Sequence, residues 1–400
     1  MSLVRSLRES AGARLRGIAL AQRVHARWRR RRYERRVAAF VAARDGVADR
    51  FPLGIVYEAT MRCNLRCGFC YVGELLNLEG QWRQELPLDA IRAAFPSRAG
   101  VEVSLTGGEI FVRKDMSDVL GLFRDKGYVC GYLTTNGTLI DDQRAIALAT
   151  LARAGFLKHV SVSIDGPREL HDAARGVKDT FERAAAGLRR LQEAARSMGA
   201  PLRVSINTTV SHESLSALDQ MADVAGELGV DAIGVNHLMY ATPEEVASTL
   251  DLVGAADASA IATFVTAHPG VQASEVQAKL EALAAACRDR GVRFDFRPKV
   301  HRDIIDRYYT PGAPLAGRCL YPFLHARIGF SGKVYFCPFI RIEVGDLTQS
   351  PFEQIWNSTR YVELRRRLLD ERLFPVCRRC CKVELDRPRG TRNQGPVSTE

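Results

Sequence analysis

No apolar run in these 400 residues approaches the roughly 20 that a membrane-spanning helix needs, so the sequence offers no transmembrane segment. Short repeats are absent, and no low-complexity tract stands outside the first 50 residues. With 46% apolar and 26% charged residues, disorder, collagen-like repeats and a coiled coil are excluded. Cysteine, ten in all, is too sparse for a disulfide scaffold. Neither a nucleotide P-loop nor a Ser/His/Asp arrangement stands out. The body has almost no net charge of its own: the first 50 residues hold 14 Arg, no Lys and four acidic residues, nearly all of the formal +11. A nucleic-acid surface spread over the fold is therefore not expected.

What is present is grouped. Cys63, Cys67 and Cys70 stand together, as do Cys377, Cys380 and Cys381, with Cys319 and Cys337 upstream. In an enzyme-sized chain such groups favour metal binding over disulfides and a reducing compartment, so a cytoplasmic location is expected.

Residues 1–50 read as a basic helical arm. Leu3, Leu7, Leu15 and Ile18 fall near one face, and Trp28 and Tyr33 interrupt the Arg-rich stretch from Arg27 to Arg36. The favoured reading is a charged helix packed against the body. The alternatives are a helix lying on an anionic membrane surface and a targeting segment. From residue 51, β-branched runs at Gly54–Thr60, Val101–Leu105, Val129–Thr134, Val160–Ile164, Val204–Thr209 and Ala232–Leu238 alternate with helical patterns such as Met116–Lys126, Asp141–Ala154, Thr180–Met198 and Ser214–Leu228. Six β–α units predict a parallel sheet, curled into a partial barrel or left open. After Tyr240 come two helical patterns, Thr242–Leu252 and Ser274–Arg290, then a Pro/Gly-rich stretch, Tyr309–Gly317. A hairpin is expected from Phe323–Phe330 and Lys333–Phe339 around Ser331-Gly332, followed by a helix over Phe352–Leu369. The expected organisation is an arm (1–50), a core (51–240), a helical connection covering the active site (241–315), a small cysteine-bearing domain (316–385) and a polar tail (386–400).

Immediately after the first strand lies Cys63-Asn-Leu-Arg-Cys67-Gly-Phe-Cys70. Three thiolates at this spacing can hold three irons of a [4Fe–4S] cluster and leave the fourth iron open to a small chelating molecule. A zinc site short of one ligand is the other reading, although structural zinc sites close with four. The segment resembles the signature of the radical S-adenosylmethionine (SAM) superfamily, CxxxCxxC with an aromatic residue, here Phe69, before the last cysteine. Thr106-Gly107-Gly108-Glu109 resembles that family's GGE motif, which implies that Gly107, Gly108 and Glu109 hold the SAM amino group. Thr135-Asn136-Gly137, Ser163-Ile-Asp165-Gly166-Pro167 and His171-Asp172-Ala-Ala-Arg175-Gly176 follow in register. The resemblance implies that Asn136, Ser163 and Asp165 belong to the SAM site and that Arg175 meets the SAM carboxylate.

The C-terminal third resembles the SPASM/twitch group of auxiliary-cluster domains. Cys319, Gly332 with four residues between it and Cys337, Gly345-Asp346-Leu347 and Ile355-Trp356-Asn357-Ser358 carry the likeness. No cysteine follows Cys381, so the pattern is similar to the shorter twitch form. That form implies one auxiliary [4Fe–4S] cluster on Cys319, Cys337, Cys377 and Cys380, with Cys381 able to replace Cys380; four cysteines can also make a zinc ribbon. Cys130 and Cys287 read as buried small hydrophobes. His237 and Tyr240, with Asn236 beside them, end the sixth strand and are the candidates for facing substrate, or else for packing the core. His301, His325 and Arg297 are weaker candidates.

The resemblance implies an α/β protein: a partial (β/α)6 radical-SAM barrel, a small C-terminal twitch/SPASM-like α+β domain and an N-terminal helical arm. It implies an enzyme whose first cluster takes one electron from a donor such as flavodoxin or ferredoxin and cleaves SAM to a 5′-deoxyadenosyl radical. That radical abstracts a substrate hydrogen atom, and one auxiliary cluster then oxidises the substrate radical. The expected function is an oxidoreductase on a small-molecule or lipid-linked substrate. A peptide maturase, an epimerase and a non-enzymatic iron–sulfur scaffold or membrane-associated adaptor are the alternatives.

Overall fold

The β-branched stretch Gly54–Thr60 forms strand β1, every residue of it buried except Val56. It opens a computed structural model that describes residues 31, 33–35 and 37–386. Strand β1 pairs in parallel with β2 (Glu102–Gly107). The next strand is shorter than its sequence pattern. Only Leu133–Thr135 (β3) is regular, while Val129 and Cys130 make isolated parallel bridges to Glu102 and Leu157. Gly131 lies in the gap, where a Cβ would come within 2.3 Å of Glu102 Oε1.

Strands β4 (His159–Ser163), β5 (Arg203–Thr209) and β6 (Ala232–Asn236) continue in parallel from β3. The intervening helices α1 (Met116–Asp125), α2 (Asp142–Arg153), α3 (Arg168–Arg175) and α4 (Thr180–Ser197) provide the crossovers that parallel pairing requires. The helical pattern over Ser214–Leu228 is divided. Ser211 and Ser214 close a capping box on a short helix, His212–Leu215, and a single turn at Leu218–Gln220 precedes Met221–Glu227.

The sequence pattern missed a strand in the connection and a pairing in the C-terminal domain. Within 241–315, after α5 (Pro243–Val253) and α6 (Ala273–Arg290), the stretch Arg293–Arg297 forms β7 and adds a parallel partner to β6. Its charged, alternating Arg-Phe-Asp-Phe-Arg buries only Phe294 and Phe296. In the C-terminal domain, β8 (His325–Ile328) forms the hairpin with β9 (Lys333–Tyr335), but its other edge pairs in parallel with β1. The order β10 (Glu343–Asp346), β9, β8, β1, β2 makes one sheet of the barrel's first strands and the C-terminal hairpin. The expected helix over Phe352–Leu369 breaks at Asn357, and Ser358 caps the second half by accepting from Tyr361 N.

Of the basic arm, residues 37–50 rest on this C-terminal domain. The Phe40 ring lies 5.2 Å from that of Phe323, Asn357 exchanges two 2.9 Å hydrogen bonds with the backbone of Ala48, and Trp356 Nε1 donates to Arg50 O. Gly46, with φ +78°, sits where a Cβ would fall 2.3 Å from Val362 O. The proposed lipid-facing residues Leu3 to Trp28, and the tail beyond 386, lie outside the described residues. Among the described residues no helix is long and apolar enough to cross a membrane.

Candidate active site

At the C-terminal ends of β1 to β4 the chain encloses a cavity of about 510 Å³. This is the end of a βα barrel where catalytic groups gather. Cys63, Cys67 and Cys70 line it from the loop after β1, Gly107, Gly108 and Glu109 from the end of β2, Asn136 from the end of β3, and Ser163 and Arg175 from beyond. Nine of the sequence-derived positions thus meet in one space.

The loop is knitted to β2 through its backbone. Gly108 N donates to Thr60 O and Glu109 N to Arg62 O. The approach excludes side chains: a Cβ on Gly107, at φ +140°, would sit 1.9 Å from Thr60 O, and one on Gly108 would sit 2.2 Å from Arg62 O and 3.0 Å from Cys63 Cβ. Arg66 N donates to Arg175 O, so the end of α3 fixes the other flank of the loop. Burial pushes the Cys63 thiol up to about 11 and raises that of Cys70 as well. Metal coordination, which takes the thiolate, must therefore release these protons.

Glu109 is buried. Its carboxylate accepts from Thr135 Oγ1 (2.7 Å), Asn136 N (2.7 Å) and Phe111 N (3.2 Å). Desolvation nevertheless raises its pKa, and the charge of Arg175 offsets this only in part. A buried carboxylate with three neutral donors lacks a counter-ion, and an ammonium group fits that need.

Two predicted positions lie just outside the cavity wall. Asp165 is buried beneath Arg175, with Oδ2 2.6 Å from Nη2, and its Oδ1 accepts from Thr209 N. The Phe69 ring lies 5.5 Å under the Arg175 guanidinium, whose Nη1 stands 3.7 Å from Cys67 Sγ. Arg175 Nε is buried and unpartnered. His237 and Tyr240 do not line the cavity. His237 shares a 2.7 Å hydrogen bond between Nδ1 and Tyr309 Oη, burial alone lowers its pKa to about 3, and the Tyr240 hydroxyl donates to Tyr308 O. Cys130 and Cys287 are fully buried.

Several residues at or beside the cavity carried no sequence signal. Asn77 Oδ1 accepts from Cys63 N, Asn64 Oδ1 accepts from Asn136 Nδ2, and Tyr71 flanks Cys70 with its hydroxyl facing Arg327. The adjacency of Asn64 and Tyr71 to the cysteines was their only mark.

In the C-terminal domain Cys337, Cys377 and Cys380 are buried, and Cys319 and Cys381 nearly so. Backbone N–H groups already point at two of the sulfurs: Ile340 N at Cys337 Sγ (3.2 Å) and Lys382 N at Cys380 Sγ (3.4 Å). Burial pushes the Cys319 thiol up to about 12 and that of Cys337 to about 11. Cys380 and Cys381 are hydrogen-bonded to each other through their side chains. The hydrogen bond between them lowers Cys381, while burial raises Cys380. Among the described residues no three such side chains converge as the ligands of a mononuclear ion do, whereas a four-iron cube takes each thiolate at a separate corner.

Comparisons with known proteins agree with this arrangement. Residues 57–225 match the radical SAM superfamily and residues 319–381 match SPASM, an iron–sulfur cluster-binding domain. An AdoMet-dependent heme synthase of Methanosarcina barkeri is 28% identical over 335 residues, covering 82% of this chain and 88% of that protein. The Fe-coproporphyrin III synthase of the same organism is 33% identical over 196 residues, 48% of this chain and 45% of its own. The crystal structure of Streptococcus suis SuiB bound to precursor peptide SuiA shares the fold, with a TM-score of 0.56 at 16% identity over 84% of this chain and 71% of that one. The chain belongs to the radical SAM superfamily and is an enzyme of it, using SAM and a [4Fe–4S] cluster and carrying a C-terminal SPASM-type iron–sulfur domain.

Proposed function

We propose that this enzyme is an oxidoreductase that removes a hydrogen atom and then an electron from a small substrate, with Cys319, Cys337, Cys377 and Cys380 holding a single auxiliary [4Fe–4S] cluster. When bound, the first cluster and SAM supply a hydrogen-abstracting radical, and the auxiliary cluster supplies an electron sink. Cys63, Cys67 and Cys70 would ligate the first cluster. Glu109, kept in place by Thr135 and Asn136, would take the SAM ammonium, and Arg175, with Nε free and Asp165 behind it, its carboxylate. Gly107 and Gly108 admit the loop to within contact of β2, and Leu65, Val72 and Ile110 give the cavity apolar walls that keep water from a reactive centre.

The observation that carries the reading is that Cys337, Cys377 and Cys380 are buried and Cys319 partly so, with Cys319 and Cys337 close enough to act on Cys377, so that four thiols gather in the SPASM-matching segment. Relatives spanning most of the chain are heme synthases, so iron tetrapyrroles are the favoured substrate class. A reduced flavodoxin or ferredoxin serves as electron donor. The test is anaerobic reconstitution followed by dithionite, SAM and Fe-coproporphyrin III. About eight irons per chain, the content of two four-iron clusters, and substrate-dependent 5′-deoxyadenosine are expected. About four irons would overturn the auxiliary-cluster reading. Absence of 5′-deoxyadenosine with the tetrapyrrole, but its formation with a peptide, would return the enzyme to peptide maturation.

A further inference from the structure

Glu58, in the middle of β1, is fully buried and carries two guanidinium groups on one carboxylate. Arg327 reaches Oε1 through Nε (2.9 Å) and Nη2 (2.6 Å); Arg341 reaches Oε1 through Nη1 (2.6 Å) and Oε2 through Nη2 (2.8 Å). Both arginine side chains are more than nine-tenths buried. The trio therefore leaves one net positive charge in a medium of low dielectric, where it is unfavourable unless an anion lies near.

The trio adjoins the auxiliary cysteines, and the charges of Arg327 and Arg341 both bear on Cys337. Arg341 follows Ile340, whose N–H donates to Cys337 Sγ, and Cys337 N returns a hydrogen bond to Ile340 O. Arg327 pairs across the hairpin with Tyr335, two residues before Cys337, and its Nη2 also donates to the Tyr71 hydroxyl beside Cys70. The reduction potential of an iron–sulfur cluster is set by surrounding charge, hydrogen bonds to sulfur and solvent exposure. An uncompensated cation next to a ligating sulfur stabilises the more negative, reduced cluster.

We infer that Arg327 and Arg341, locked on Glu58, are positioning residues that raise the potential of the auxiliary cluster and so fit it to accept an electron. The inference rests on the proposed function, since it requires an auxiliary cluster at Cys337. Glu58 serves as the hinge of this device because it belongs to the barrel while both arginines belong to the cluster domain.

The test is an EPR-monitored redox titration of the reconstituted holoenzyme. Arg341→Gln should shift the auxiliary midpoint to more negative potential, and Arg341→Lys should restore it. Glu58→Gln should shift it the opposite way, and the Glu58→Gln/Arg341→Gln double variant should return it to the parent value. The first cluster serves as the internal reference. An unmoved potential in Arg341→Gln, or shifts of one sign in Arg341→Gln and Glu58→Gln, overturns the inference. If Glu58→Gln loses iron, the comparison of Arg341→Gln with Arg341→Lys decides alone. Four irons in the parent chain would overturn the proposed function itself; eight irons with coincident potentials would overturn only the inference.

Discussion

Arg379 and Glu245 form a closed ion pair, Nη1 to Oε1 at 2.9 Å, between the turn that carries Cys377 and Cys380 and the first turn of α5. The same guanidinium donates to the carbonyls of Tyr308, Thr310 and Ala313 and stacks over the Tyr240 ring. One side chain thereby fixes the cysteine turn to the end of the barrel.

Replacing Arg379 with Ala leaves Glu245 buried with only Arg378, at 3.2 Å, as a charged partner. Breaking a buried pair from one side costs about 3–5 kcal/mol. Urea unfolding should register a loss of that size, and iron content should fall towards that of a single cluster. A stability within error of the parent would refute the assignment.

At Gly108, substitution by Ala places a methyl group against Arg62 O and Cys63 Cβ, neither of which can yield without moving the cysteine loop. The variant is expected to fold, as judged by circular dichroism, but to form 5′-deoxyadenosine roughly 100-fold more slowly, the scale of a misplacement near 1 Å. Timed 5′-deoxyadenosine formation by the reconstituted variant under dithionite and SAM checks this.

Ligand assignment in the C-terminal domain divides cleanly by substitution. Cys380→Ser should lose the auxiliary iron, while Cys381→Ser should keep it, because Cys380 Sγ accepts from Lys382 N and lies in the Cys377 turn. Cys130→Ala, inside the barrel wall, should retain all iron and cost only about 1 kcal/mol. Iron analysis of the three variants reads the result.

His237 and His171 are buried, and their pKa values fall to about 3 and about 4. The unfolded chain gains their protons near pH 6.5, and the native chain only far below it. Stability is therefore complete above pH 6.5 and lost progressively as pH falls towards 4 and then 3. Between pH 7.5 and 5.5 the melting temperature should drop less steeply in His237→Phe than in the parent. An identical slope would refute the neutral burial of His237.

The barrel and the cysteine loop were legible in the sequence because both are local patterns. The alternation of Gly54–Thr60 and Arg203–Thr209 with helices sets the strands, and Cys63, Cys67 and Cys70 announce themselves by spacing. Asn77 and Tyr71 were not legible, since what they do depends on Cys63 and Arg327 arriving from elsewhere in the chain. Strand β7 was hidden by its charges, because only Phe294 and Phe296 face the core. The pairing of β8 with β1, and with it the meeting of Arg327 and Glu58, was hidden by distance along the chain.

That pairing makes the two halves mechanically inseparable. Four consecutive registers, Gly54 with His325 through Tyr57 with Ile328, bolt the SPASM-type domain to the wall of the radical SAM barrel. A fragment ending before residue 325 would bare the flank of β1, with its main-chain donors and acceptors unmet, and invite self-association along that flank. The separation between Cys70 and Cys337 is thus a property of one continuous ladder rather than of a flexible tether, and is set when the sheet forms.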